Sequence, residues 1–213
     1  MKKGLNYIIT LLLLVVVAYN SVYFKKLSEV KAAGKSKQFN ATAYAQDYLN
    51  GKLPSALDKA LDVNRLTALL KADPETGFQK YSHALGIGNI RFFLVKGQGE
   101  IAKIEEDATT LLVQQDTARQ LIRIATEYVF GNAVRDASGL ININEFDNTM
   151  DFNGVSAEVN KIIREKVLPP FKKEAKKGDE VIFTGAIELN QAHLKLDNIE
   201  VVPVTLQLVK KSQ

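Results

Sequence analysis

The chain has 213 residues, of which 46% are hydrophobic and 24% charged, a composition typical of a folded protein with one core and appendages. Its formal net charge is +4, and the positive excess lies before residue 38, where Glu29 is the only acid. The remainder is close to neutral, so the charge does not indicate a nucleic-acid surface. The sequence contains no cysteine, which excludes disulfides, thiolate metal ligands and a cysteine nucleophile.

A long uncharged segment, Tyr7 to Phe24, follows two lysines near the N-terminus. Its apolar part, Tyr7 to Tyr19, is as long as a signal-peptide core, whereas the whole segment is near the minimum for a membrane-spanning helix. The aromatic residues at its end are typical of a membrane interface and favour an uncleaved anchor over a cleaved signal. We therefore predict a signal anchor or transmembrane helix over residues 1–30 and a flexible tether over 31–40.

A region of short helices is predicted over residues 41–85. Leucines recur at intervals of three and four residues, as in Leu66, Leu69 and Leu70, which is the spacing of an amphipathic helix. Pro54 suits a first helical turn, and Asp73 before Pro74 suits an N-cap.

Residues 86–213 are predicted to form a β-barrel. Strand patterns cover residues 89–107, 109–114, 121–131, 179–189 and 198–209, and 140–146 offer a further short strand. A helix over 156–167, capped by Ser156, separates the third strand from the fourth. Gly97 and Gly99 indicate a bend in the long first strand, and Pro203 a bulge or an edge in the last. This order predicts an α+β chain whose five-stranded barrel is of the OB type, with a helix between strands 3 and 4.

No catalytic, cofactor-binding or metal-binding set of residues emerges from the motifs. The glycine pairs lack the third glycine of a dinucleotide loop. Thr149 and Asn160 stand where a calcium loop beginning at 149 would need its first ligand and its bidentate acid. Arg91, Phe92, Phe93 and Lys96 match a single-strand-binding barrel face only in part, and the export signal argues against nucleic acid as a partner.

The stretch GNAVRDASGL, residues 131–140, places Arg135 and Asp136 between two glycines. Two interpretations stay open. The pair either fixes a corner of the fold, with glycines allowing tight turns, or supplies a ligand site on a loop held by a rigid barrel.

The stretches FFLVKGQGEI, GNAVRDASGLININEFDNTMDF and GDEVIFTGAIEL resemble an uncharacterised family of predicted bacterial periplasmic lipoproteins, often encoded beside sugar ABC-transporter genes. The resemblance covers residues from about 40 to 209. Its G-x-A-x-R-D-A and F-x-N patterns mark Arg135 and Asp136, and then Phe146 and Asn148, as motif residues. Asn132, inside the first pattern, is a further candidate for a ligand or structural role. Lipoproteins of the family carry a cysteine after the signal core, whereas this chain has Asn20, Ser21 and Val22 there, so the hydrophobic helix would have to be the anchor.

The resemblance implies location more than mechanism. The lysine count on the C-terminal side of the apolar segment would keep the body in the cytoplasm, but the signal-like start and the family favour a single-pass inner-membrane protein with its C-terminal domain in the periplasm. We expect a non-enzymatic binding or accessory protein whose partners are the membrane and components of a sugar transporter. The alternative is a small-ligand or metal-dependent enzyme with its site in residues 131–148.

Overall fold

The computed structural model describes residues 2–21, 26, 39–115 and 118–209. The chain divides into two compact units, Met1–Phe39 and Asn40–Gln213. The first unit contains helix α1, Lys2–Ser21. The tether predicted for 31–40 lies outside the described residues except for Phe39 and Asn40.

The predicted transmembrane span is not supported. Among the residues that the structure describes, no helix is long and apolar enough to cross a membrane. Helix α1 is described over Lys2–Ser21, and residues 22–24 of the predicted span lie outside the described part of the chain. The continuous apolar part, Tyr7 to Tyr19, is shorter than the ~20 residues that a bilayer core requires.

The second unit begins with short helices, as predicted. They are α2 (Ala41–Asp47), α3 (Leu53–Asp58), α4 (Val63–Ala72) and α5 (Pro74–Tyr81). A π-helical turn, Tyr48–Lys52, joins α2 to α3. The predicted cap at Asp73 is confirmed, because its carboxylate accepts a hydrogen bond from the Thr76 amide at 3.1 Å, and Pro54 lies in the first turn of α3.

Five long strands close into the predicted barrel. They are β3 (Ile90–Ile104), β4 (Ala108–Gln115), β5 (Ala118–Ala125), β6 (Glu180–Asn190) and β7 (Ile199–Val209). Neighbours follow the order β3-β4-β5-β7-β6, and β6 pairs back with β3. All pairs are antiparallel except β5 with β7, which is parallel. Two short strands, β1 (Leu61–Asp62) and β2 (Ser82–His83), add to β3 from the helical region.

Strand β3 is shared between two partners, and the glycines lie where it changes from one to the other. It pairs with β6 from Ile90 to Glu100 and with β4 from Gly99 onward. A Cβ at Gly99 would stand 2.7 Å from the Leu112 carbonyl oxygen, so only glycine allows this close approach. The register of β3 with β4 shifts a little further along the strand than these glycines, between Ile101 and Lys103.

The bulge predicted at Pro203 is confirmed. The register of β6 with β7 shifts between Thr184 and Gly185, opposite Pro203. A proline lacks the amide hydrogen of a regular ladder, and a Cβ at Gly185 would meet the Val202 carbonyl oxygen at 2.4 Å. Gly185 and Pro203, which lie opposite one another, therefore both suit this irregular pairing.

Three predicted boundaries between the third and fourth barrel strands are wrong. The third strand, predicted over 121–131, ends at Ala125, and Tyr128 and Phe130 beyond it are exposed. Residues 140–146 form no strand but a single 3-10 turn, Ile143–Glu145. The long helix, α7 (Thr149–Ile162), begins seven residues before Ser156, because the Asn148 side chain accepts the Asp151 amide at 2.9 Å and caps it.

The prolines after α7 do not stop helical structure. A second π-helical turn, Ile163–Val167, follows α7 directly, and helix α8 (Leu168–Glu174) continues from it with a proline in its first turn. Proline is tolerated at this position because the amide hydrogen it lacks has no partner in a first helical turn.

One hydrophobic core joins the helices to the barrel. Val63, Leu66 and Leu70 of α4 and Phe78 of α5 belong to the same buried cluster as the inward-facing barrel residues. The Phe78 ring meets that of Phe93 edge-on, with 5.3 Å between centroids. The helical region thus covers a face that the barrel would otherwise expose.

Candidate functional site

The residues Arg135 and Asp136 form a buried ion pair on one short helix, α6 (Ala133–Asp136). The Arg135 Nε donates to one oxygen of Asp136 at 2.6 Å and Nη2 to the other at 3.1 Å. The side chains are 3% and 4% exposed. Both carboxylate oxygens are therefore engaged by a two-pronged contact between adjacent residues, the strong geometry for such pairs.

The remaining donor of Arg135 reaches helix α7. Its Nη1 donates to the Phe152 carbonyl oxygen at 3.2 Å and to Oδ1 of Asn153 at 3.3 Å. The guanidinium also lies over the Phe152 ring, 3.6 Å from its centroid, a cation–π contact. The pair thus ties the segment after β5 to the first turns of α7.

A tyrosine from the helical region fixes the same corner from the other side. Tyr48 is fully buried, and its hydroxyl donates to the Val134 carbonyl oxygen and contacts Ser138 Oγ, both at 2.8 Å. Burial raises the pKa of Tyr48 above its usual value, with the nearby Asp136 charge adding to the shift. The phenol remains a neutral donor throughout the physiological range.

Phe146 contacts this cluster through aromatic ring packing. It packs at 5.2 Å from Phe152 and at 5.3 Å from Tyr44. The Tyr44 hydroxyl donates to Glu145 at 3.2 Å, and burial, followed by the charge of Glu145, raises the Tyr44 pKa to about 12. Phe146 therefore lies in the same cluster as Arg135, one ring away from it.

The other two predicted motif residues lie at the surface. Asn148 is exposed and caps α7, donating also to the Asp151 carboxylate at 2.8 Å. Asn132 is exposed, and its carbonyl oxygen accepts the amide of Asp136. The structure thus brings Arg135, Asp136 and Phe146 into one cluster and places Asn132 and Asn148 at its edges.

A cleft of about 320 Å³ opens beside this cluster, between the segment after β5 and the outer face of α7. We call it the corner cleft. Its lining residues are Phe130, Gly131, Asn132, Asn153, Ser156, Ala157, Asn160 and Arg164. Asn132 also lines a second depression of about 430 Å³, together with Arg135 and Asp136.

The corner cleft was not predicted from the sequence, although a pattern of polar residues at helical spacing marks its α7 wall. Asn153, Ser156, Asn160 and Arg164 recur every three or four residues, which places polar groups on one side of a helix. The predicted helix rests instead on the neighbouring apolar side, at Val159 and Ile163. Ser156, predicted as its cap, lies inside α7 and is 6% exposed.

A larger cavity than the corner cleft lies elsewhere, with a volume of about 560 Å³. Both π-helical turns contribute to its walls, through residues such as Leu49 and Ile163, and Lys96 and Lys166 stand among its polar groups. No sequence motif marked it.

Across residues 2–21, 26, 39–115 and 118–209, no group of three histidine, aspartate or glutamate side chains is placed to hold a metal ion. The acids and amides between residues 142 and 153 serve other contacts, such as the helix cap at Asn148 and the Arg135 bond to Asn153.

Comparisons with known proteins place this geometry in context. A family model described as predicted periplasmic lipoprotein (DUF2291) matches residues 12–207. The crystal structure of an OB-fold protein from Thermotoga maritima is similar over 81% of this chain and all of its own, with 27% identity and a TM-score of 0.71. An OBody bound to hen egg-white lysozyme matches 63% of this chain and 90% of its own, at 12% identity and a TM-score of 0.26. Comparison with curated proteins gives no match.

Proposed function

Because the chain belongs to the family of predicted periplasmic lipoproteins, we propose that it acts outside the cytoplasm as a binding protein without catalytic activity, through the corner cleft and the segment around it. Family membership supports the extracytoplasmic location. The binding role and its site are our proposal.

The observation that carries the proposal is the saturation of the Arg135–Asp136 pair. Each carboxylate oxygen of Asp136 accepts from Arg135, and the third guanidinium nitrogen donates to α7. A buried pair occupied in this way has no group left for proton transfer or nucleophilic attack. It does fix the orientation of Asn153, which lines the cleft, and a preorganised binding site needs such fixed groups.

The competing enzyme at residues 131–148 has less support. Its charged residues are Arg135, Asp136, Glu145 and Asp147, and the first two are buried against one another. Glu145 accepts from Tyr44 on the other side of the Phe146 ring. Asp136 and Glu145 are thus each engaged by a different partner and do not form a pair of free carboxylates from which a reaction would be catalysed.

We propose components of a transporter as the partners that this surface binds. The test uses the full-length chain in native envelopes with a photo-crosslinking residue at Asn132, on the lip of the corner cleft. Ile182, which is 40% exposed on β6 and outside the cleft, is the matched control position.

We expect the Asn132 position to form adducts with a transporter subunit or its solute-binding protein, and the Ile182 position to form none. Identical adducts from both positions, or none from Asn132, would remove the support for the corner as the binding surface.

A further inference from the structure

The corner cleft holds a buried hydroxyl without a hydrogen-bond partner. Ser156 Oγ is shielded from solvent and makes no hydrogen bond within the described part of the chain. A serine within a helix commonly bonds to the carbonyl four residues earlier, here that of Phe152. That oxygen accepts from Arg135 Nη1 instead. An unsatisfied buried hydroxyl costs free energy, and a bound ligand group would satisfy it.

The cleft also carries one positive charge and no acid. Its eight lining residues include Arg164 but no aspartate or glutamate. Within the residues described, no carboxylate lies within 4.0 Å of Arg164, whereas Arg123 and Lys103, for example, each lie beside an acid. Arg164 Nη1 donates to the Val129 carbonyl oxygen, and its guanidinium lies 4.9 Å from the centroid of the exposed Phe130 ring. Nε and Nη2 are left for a carboxylate, which a guanidinium binds with two parallel hydrogen bonds.

The two buried or bonded amides have defined orientations. Arginine can only donate, so the Asn153 atom that faces Arg135 is the oxygen, and its NH₂ group remains a donor. Asn160 donates through Nδ2 to the Gly131 carbonyl oxygen at 2.8 Å, and its Oδ1 remains an acceptor. A ligand therefore needs hydroxyl groups to donate to Asn160 as well as a carboxylate to accept from Arg164.

We propose that the corner cleft binds a small carboxylate that carries several hydroxyl groups, with Arg164 holding the carboxylate and Ser156, Asn153 and Asn160 the hydroxyls. The exposed face of Phe130 covers the C–H groups of the carbon chain. The volume, about 320 Å³, limits the occupant to one small molecule. This inference rests on the proposed function, since it names the ligand class of the same site.

The test is isothermal titration of the full-length protein in detergent with three six-carbon probes. Gluconate has both the carboxylate and the hydroxyls, sorbitol has only hydroxyls, and hexanoate has only the carboxylate. We expect gluconate to bind at least tenfold more tightly than either of the others. Equal binding of hexanoate or sorbitol, or no binding of gluconate, would overturn the inference.

Variants separate the contributions of the charge and the hydroxyl. Arg164→Gln is expected to weaken gluconate binding at least tenfold, while Lys166→Gln removes a charge from the same π-helical turn outside the cleft and leaves binding unchanged. Ser156→Ala is expected to weaken binding about three- to tenfold without lowering Tm, because it removes an unsatisfied hydroxyl. Equal losses in Arg164→Gln and Lys166→Gln would contradict the assignment.

Failure of this inference and failure of the proposed function give different results. If gluconate does not bind but the Asn132 crosslink to a transporter component persists, the ligand class is wrong and the binding surface stands. If neither is observed, the corner cleft is not a binding site.

Discussion

At the scale of single residues, the contacts of the Arg135–Asp136 pair are those of the structural interpretation that the sequence left open. The pair is a structural cross-link, because it joins the segment after β5 to α7. It also determines which groups of α7 remain unbonded, because it occupies the Phe152 carbonyl oxygen and the Asn153 side-chain oxygen. The pair thereby orients Asn153, one of the residues that we propose to contact a ligand in the corner cleft.

Breaking the pair is expected to be costly. Arg135→Met leaves Asp136 buried without its partner and should reduce the free energy of unfolding by about 3–5 kcal/mol, measured by urea denaturation followed by circular dichroism. The double variant Arg135→Met/Asp136→Leu removes the lone charge and should recover much of the loss. A single variant that is no less stable than the double variant would show that the two charges do not depend on each other.

At the scale of elements, the long strand β3 depends on glycine where it changes partner. Gly99→Ala forces a Cβ against the Leu112 carbonyl oxygen, at 2.7 Å in the native backbone, and should destabilise the protein by about 1–3 kcal/mol. Gly86→Ala is the matched control, since no atom lies within 4 Å of its added Cβ. Thermal unfolding of both variants provides the measurement. Equal Tm values would mean that the strand relaxes around the methyl group.

The elements also show what sequence patterns can and cannot define. The barrel order was predictable because alternation in residues such as Ile122 and Ile124 reports a covered sheet face directly. The end of β5 was not, because Tyr128 and Phe130 continue the alternation after the chain has left the sheet. The early start of α7 depends on the cap by Asn148, and Ser156 offered an equally good cap in sequence. The cleft required knowing that α7 packs beside residues 130–132, which is tertiary information.

At the scale of the whole molecule, helices α4 and α5 and the barrel share one core. Leu66→Ala on α4, where the side chain is 1% exposed, should reduce the free energy of unfolding by about 2–5 kcal/mol. Because the core is continuous, hydrogen exchange of β3 amides should accelerate together with that of α4. Leu121→Ala, where the leucine on β5 is 56% exposed, should change little. Unchanged protection of β3 in Leu66→Ala would indicate that the helices unfold separately.

The position of β7 has a consequence for the order of events as the chain is made. Ile199 to Val201 pair with Ile122 to Ile124 on one side, and β7 pairs with β6 on the other. The strand that closes the barrel is thus the last one synthesised. Until it emerges, β5 and β6 each have an unpaired edge, and the contacts that join them span a large part of the sequence. The barrel therefore stays open until β7 is complete, and its native form appears only after synthesis of that strand.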